Sequence, residues 1–116
     1  MLAVGEHMLG NLDPYMVRMA TGLSGGVGCT YQEMCGALSG GVMLIGSLHG
    51  RSSQREDDQP AFQLAARYRQ RFAEEFGTTR CGPLRDQVHA PGGFGSCSFV
   101  AERAALILLD VLAAWG

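Results

Sequence analysis

Nineteen residues, GCTYQEMCGALSGGVMLIG from Gly28 to Gly46, restrict what this chain can fold into more than any other stretch. Their apolar periodicity predicts a helix, yet they include five glycines and two cysteines. Each glycine in a helix interior costs about 1 kcal/mol relative to alanine, so the segment should gain close packing in return. Gly36 and Gly40 form a small-x-x-x-small face, extended by Ala37, Ser39 and Gly41, that lets another backbone approach. Thr30 followed by Glu33 matches a capping box. It predicts a helix running to about Leu48, with Cys29 just outside and Cys35 within.

Elsewhere apolar residues recur at three- and four-residue intervals and β-branched residues are sparse, which predicts an all-α chain. Helices are expected over about Leu2–Leu9, from Pro14 to Thr21 behind an Asp13 cap, and from Gln59 or Pro60 to Phe76 with Gly77 as a left-handed stop. A short helix is expected over about Pro83–Val88, and a last one over about Ser98–Ala114, apolar nearly all round between Ala104 and Trp115. In the Gln59–Phe76 helix the apolar stripe is read as Phe62, Ala65, Ala66, Tyr68 or Arg69, Phe72 and Phe76. GLSGGVG (22–28) and HAPGGFG (89–95) read as glycine-rich loops, and HGRSSQREDDQ as a polar surface connection. A chain of 116 residues with these elements predicts a compact single-domain bundle of four to five helices over residues 1–116.

Composition narrows the function classes. A net charge of −2 and a charged fraction of 17% do not advertise nucleic acid or an acidic partner. The longest uncharged run, Met34 to Leu48, is 15 residues, shorter than the roughly 18 to 20 a membrane span needs. No signal peptide opens the chain, so the expected address is cytoplasmic. All nine basic side chains are arginine. Without lysine, GLSGGVG cannot be completed as a phosphate-binding P-loop, and no nucleotide motif is expected.

Four cysteines in a small chain of this kind point to reduced thiols, metal ligands or redox centres before structural disulfides. Cys29, Cys35, Cys81 and Cys97 show no C-x-x-C, haem-attachment or zinc-ribbon spacing, so the fold must assemble any joint site. Cys29, Cys81 and Cys97 each fall just before an expected helix, where unpaired N–H groups favour a thiolate. Six residues of helix would separate Cys29 from Cys35 by about 9 Å, beyond the roughly 7 Å limit for a disulfide. Pairing of Cys35 with Cys81 or Cys97 is the better geometry. His7, His49 and His89 read as surface residues, His89 being the best placed because its loop lies between Cys81 and Cys97.

Three motifs in order carry a family resemblance: the glycine-rich loop, Glu33-x-Cys35-Gly36-Ala37-x-x-Gly40, and Phe76-Gly77-x-Thr79-x-Cys81, followed by Cys97 before the final helix. Over nearly its whole length the chain resembles the C_GCAxxG_C_C redox family. The resemblance implies a small helical protein whose cysteines serve redox chemistry or bind an iron–sulfur cluster or another metal such as zinc. It also implies similarity to the cluster-bearing part of split-Soret multihaem cytochromes. Cys35 takes the family's central cysteine position, Cys81 the third and Cys97 the last. Relatives usually carry an earlier cysteine, for which Cys29 is the available substitute, and the N-terminal helix is expected to be truncated relative to theirs.

Three functional expectations follow. The first is a redox or metal centre made by Cys35, Cys81 and Cys97 with Cys29 as a fourth member, supported by Gly36 and Glu33 and served by an electron-transfer partner. A thiol–disulfide oxidoreductase is the second. The third is a non-catalytic helical module forming a homodimer through its glycine face or final helix.

Overall fold

Asp13 caps a helix by accepting a hydrogen bond from the Tyr15 N–H (2.8 Å), and Pro14 occupies the first helical position. The computed structural model describes residues 4, 5 and 10–114. Within these, α1 spans Pro14–Thr21, α2 Gly36–His49, α3 Gln59–Phe76, α4 Cys81–His89 and α5 Cys97–Ala113. Most of the expected Leu2–Leu9 helix, His7 included, lies outside the described residues, as does Trp115; Val4 and Gly5 are helical and buried. Among the described residues, no strand forms and pairing outside helices reaches only one isolated bridge, Met34 with Arg80. The chain is all-α, as its periodicity predicts.

Helices α2, α3 and α5 contact one another pairwise and enclose the core. Leu64, Tyr68, Phe72 and Phe76 form the buried row of α3, spaced four apart so that successive side chains share a face. They meet Leu38, Leu44 and Ile45 from α2 and Val100, Ala104, Leu108 and Val111 from α5. Phe72 is fully buried, with its ring 6.4 Å from that of Tyr68 and 4.7 Å from that of Phe76. The buried Tyr68 hydroxyl reaches the Ala37 carbonyl (3.3 Å) and the Ala104 carbonyl (3.4 Å), joining α3 to both neighbours. Burial and then the nearby Cys35 push its pKa well above the usual phenol range, so it remains a neutral donor. Exposed pairs Arg103–Glu75 and Arg71–Asp110 lie at the α3/α5 edge and contribute little in water.

Close approach on α2 occurs at Gly41 and Gly36. A Cβ on Gly41 would stand 2.5 Å from the Tyr68 ring, and one on Gly36 would stand 3.2 Å from the Ser24 Cα. Gly46 faces open space instead, so close packing does not account for it. Gly77 ends α3 in the left-handed conformation (φ 77°), its N–H donating to the Ala73 carbonyl (2.7 Å).

Three local expectations need correction. Thr30 does not cap α2: its hydroxyl donates to the Gly26 and Val27 carbonyls (2.9 Å each), and the helix begins six residues later at Gly36. Gly26 and Val27 offer the hydroxyl carbonyl partners in the glycine-rich turn, and that local pairing outcompetes the helical one. Phe62 lies 59% exposed, because the inward row is set by Leu64 and its i+4 partners. The final helix is not buried all round, since Leu106 faces outward, 53% exposed.

Candidate functional site

The segment before α2 folds into an unusual left-handed turn. Gly25, Gly26, Val27, Gly28 and Cys29 all have φ between 57° and 69°, and Tyr31 has 62°. For residues with a Cβ this conformation costs about 1–2 kcal/mol each, and the glycines reduce the total. Hydrogen bonds fix the turn, including Gly28 N–H to the Gly22 carbonyl (2.8 Å) and Cys29 N–H to the Ser24 carbonyl (3.0 Å). The turn lies on the start of α4: a Cβ on Gly26 would stand 2.6 Å from the Cys81 Cβ, and one on Gly82 would stand 2.7 Å from the Tyr31 carbonyl oxygen.

After the turn the chain extends and pairs with the segment before α4. Cys35 N–H donates to the Thr79 carbonyl and Cys81 N–H to the Glu33 carbonyl, both at 2.8 Å. Arg80 adds a guanidinium hydrogen bond to the Gln32 carbonyl (2.8 Å). Cys35 and Cys81 each follow the bridged pair by one residue, so they share the ribbon face opposite Met34 and Arg80. Such diagonal positions lie about 7–8 Å apart.

Helix starts then bring three thiols together. Cys35 is the N-cap of α2, Cys81 the first residue of α4 and Cys97 the first residue of α5, capped by Ser96. All three line one cavity of about 280 Å³. Cys81 is buried, Cys35 half-buried and Cys97 exposed, so the cavity has a closed end and an open one. No disulfide joins them.

Burial is the main influence on the two inner thiols and raises both pKa values. At Cys35 the backbone amides of Ala37 and Leu38 oppose that rise, although no full capping hydrogen bond forms, and Cys97 adds to it. At Cys81 the neighbouring thiols add to the effect of burial, Cys35 more strongly than Cys97; Arg85 opposes it, and Cys29 contributes least. Both inner thiols are therefore protonated near neutral pH. Their mutual influence follows from shared burial around one space.

Of the four cysteines, Cys29 is the one set apart. It is exposed, sits in the left-handed turn and does not line the cavity; its sulfur packs against Gly25 instead. Cys29 therefore does not precede a helix, and Cys35 is a cap where a helix-interior position was expected. Gly36 lines the cavity and admits the Ser24 backbone. Glu33 contributes its carbonyl to Cys81, while its side chain is exposed. Neither His49 nor His89 lines the cavity. Among the described residues, no group of three or more His, Cys, Asp and Glu side chains is placed to hold a metal ion.

Tyr31 and Arg85 are among the lining residues that escape the sequence reading. Arg85 follows Cys81 by four residues, which puts both on one face of α4. An expected start at Pro83 left Cys81 outside the helix and hid that relation. The guanidinium carbon of Arg85 stands 4.3 Å from the centroid of the Tyr31 ring.

No described helix is long and apolar enough to cross a membrane. No curated protein and no solved structure matches the chain. A family model does, described as "Putative redox-active protein (C_GCAxxG_C_C)". Its match extends over residues 1–111, taking in the left-handed turn, the bridge and all four cysteines, and the chain belongs to the C_GCAxxG_C_C family.

Proposed function

We propose that this protein performs redox chemistry at the cavity shared by Cys35, Cys81 and Cys97, as a dithiol–disulfide couple. The supporting observation is the Met34–Arg80 bridge, which sets Cys35 and Cys81 on one face at diagonal positions. That spacing, about 7–8 Å, exceeds the roughly 6.8 Å reach of a disulfide by a small backbone movement. One protein thiolate attacks a sulfur of a disulfide substrate, forming a mixed disulfide and releasing one substrate thiolate. The second protein thiolate then attacks the protein sulfur of that mixed disulfide and releases the other. In total the Cys35 and Cys81 thiols lose two electrons and two protons and gain an S–S bond, while the substrate S–S bond becomes two thiols. Cys97, exposed at the open end, is a third thiol within the same exchange network.

Mass spectrometry of the reduced protein after mild oxidation by an organic disulfide tests this. The expected product has lost two protons and yields a linked Cys35–Cys81 peptide pair, absent in Cys35→Ser and Cys81→Ser. A scatter of products with no defined pair would overturn the reading.

A second reading is favoured by the third thiol, which a simple dithiol does not need. Three thiolates are soft donors suited to an iron–sulfur cluster, which when bound would supply one-electron transfer. Cys35, Cys81 and Cys97 would hold it, and the helix N-termini around them favour negative charge. That reading requires the thiols to close in from their present arrangement. Iron and labile sulfide in protein purified without oxygen, lost together in Cys35→Ser, Cys81→Ser and Cys97→Ser, would favour it over the dithiol couple.

A further inference from the structure

Among the described residues, Arg85 is the only charged one lining the thiol cavity. Arg51, Arg71 and Arg103 each pair with a carboxylate, and Arg85 has no carboxylate partner among the described residues. It is half-buried and held over the Tyr31 ring, 4.3 Å from its centroid. A cation–π contact of this kind leaves the guanidinium N–H donors available, and their planar fork suits a carboxylate. The same helical turn places Cys81 beside it, four residues earlier. A cation held over an aromatic ring, with no carboxylate partner among the described residues and one helical turn from the Cys81 thiol, is suited to recognising an anion.

The space continues beyond the thiols. A second cavity of about 700 Å³ shares Ser24, Gly36 and Ala101 with the first, so a molecule larger than the inner cavity has room to extend. The wider cavity is lined by the exposed Glu102, whereas the thiol cavity is lined by Arg85. This charge distribution orients an anionic group toward the thiols.

We infer that Arg85 anchors the substrate and that the substrate is a low-mass disulfide bearing a carboxylate, bound with its carboxylate on the guanidinium and its sulfurs toward Cys81. The inference rests on the dithiol reading proposed above. Its chemistry is the two-step exchange already balanced there, with Arg85 positioning the substrate and taking no part in electron transfer.

The test uses three probe disulfides of similar size: dithiodiglycolate (anionic), 2-hydroxyethyl disulfide (neutral) and cystamine (cationic). Oxidation rates of the reduced full chain are each divided by the rate of a simple model thiol, which removes intrinsic reactivity. The anionic probe is expected to be favoured about tenfold over the neutral one and more over the cationic one. Its advantage should shrink with added salt. Arg85→Gln should lose the preference and Arg85→Lys should restore part of it, with helical circular dichroism unchanged in both. If Arg85→Gln does not fold, the salt dependence in the natural chain still decides. Equal normalised rates for the three probes, with normal Cys35–Cys81 pairing, would overturn the anchor and leave the redox reading standing. Failure of every probe to form a defined protein disulfide would overturn the redox reading and the anchor with it.

Discussion

The helix core around Phe72 and the thiol end around Cys81 are held by different physics. In the core, Leu64, Tyr68, Phe72 and Phe76 bury a regular row against α2 and α5, and no backbone departs from helix. At the thiol end, a left-handed turn, one bridge and glycines without side chains bring three helix starts together. The core is stabilised by buried apolar area; the thiol end depends on a few hydrogen bonds and on approaches under 3 Å at Gly25, Gly26 and Gly82 that leave no room for a methyl group. Stability resides mainly in the first, and geometry for chemistry in the second.

The largest expected effect belongs to the core. Phe72→Ala should cost about 3–5 kcal/mol, read as a lower midpoint in denaturant. In the fraction that remains folded, Cys35 and Cys81 should still pair on oxidation. A loss below about 1 kcal/mol would mean that the core does not carry the fold.

Gly26→Ala sharpens the comparison from the other side. The new methyl group meets Cys81 at a position with φ 69°, so a destabilisation of roughly 1–3 kcal/mol is expected. Its distinguishing result is at the thiols: the Cys35–Cys81 product should give way to mixed pairs on peptide mapping. Unchanged pairing would show that the turn is not what seats Cys81.

The smallest effect is in pH. Burial raises the Cys35 and Cys81 pKa values, so folding favours their protonated forms. That contribution is fully present below the ordinary thiol pKa of about 8.5 and is lost as pH rises through the higher folded values. Stability should therefore decline in alkaline buffer, and alkylation of these two thiols should accelerate over the same range. Denaturation midpoints measured from pH 7 upward, in the natural chain and in a Cys35→Ser/Cys81→Ser double variant, check the sign: the double variant should show the flatter profile.

Much of the helical framework is legible in the residues alone. Asp13-Pro14 and Gly77 set helix ends through one cap, one fixed φ and one left-handed residue, all local effects. The miss at Thr30 has an equally local cause, a hydroxyl with two available sets of partners. Sequence spacing favours the helical cap, and the glycine turn offers carbonyls that spacing does not reveal. The same miss hid the role of Cys35 as a cap, while the late start expected for α4 hid Arg85.

By itself, the sequence determined the helical class, most helix boundaries, the expectation that Cys35 must look to Cys81 or Cys97 for a partner, and the family motifs. Those properties depend on neighbours within about one helical turn, or on limits set by chain geometry. Only the tertiary structure decided that Cys35, Cys81 and Cys97 share a cavity, that Cys29 stands apart and that Arg85 faces the thiols. These depend on the pairing of residues 33–35 with 79–81 and on the turn lying across Cys81. Contacts between segments more than 40 residues apart leave no periodic trace in either segment, because their register is fixed by packing and not by local preference.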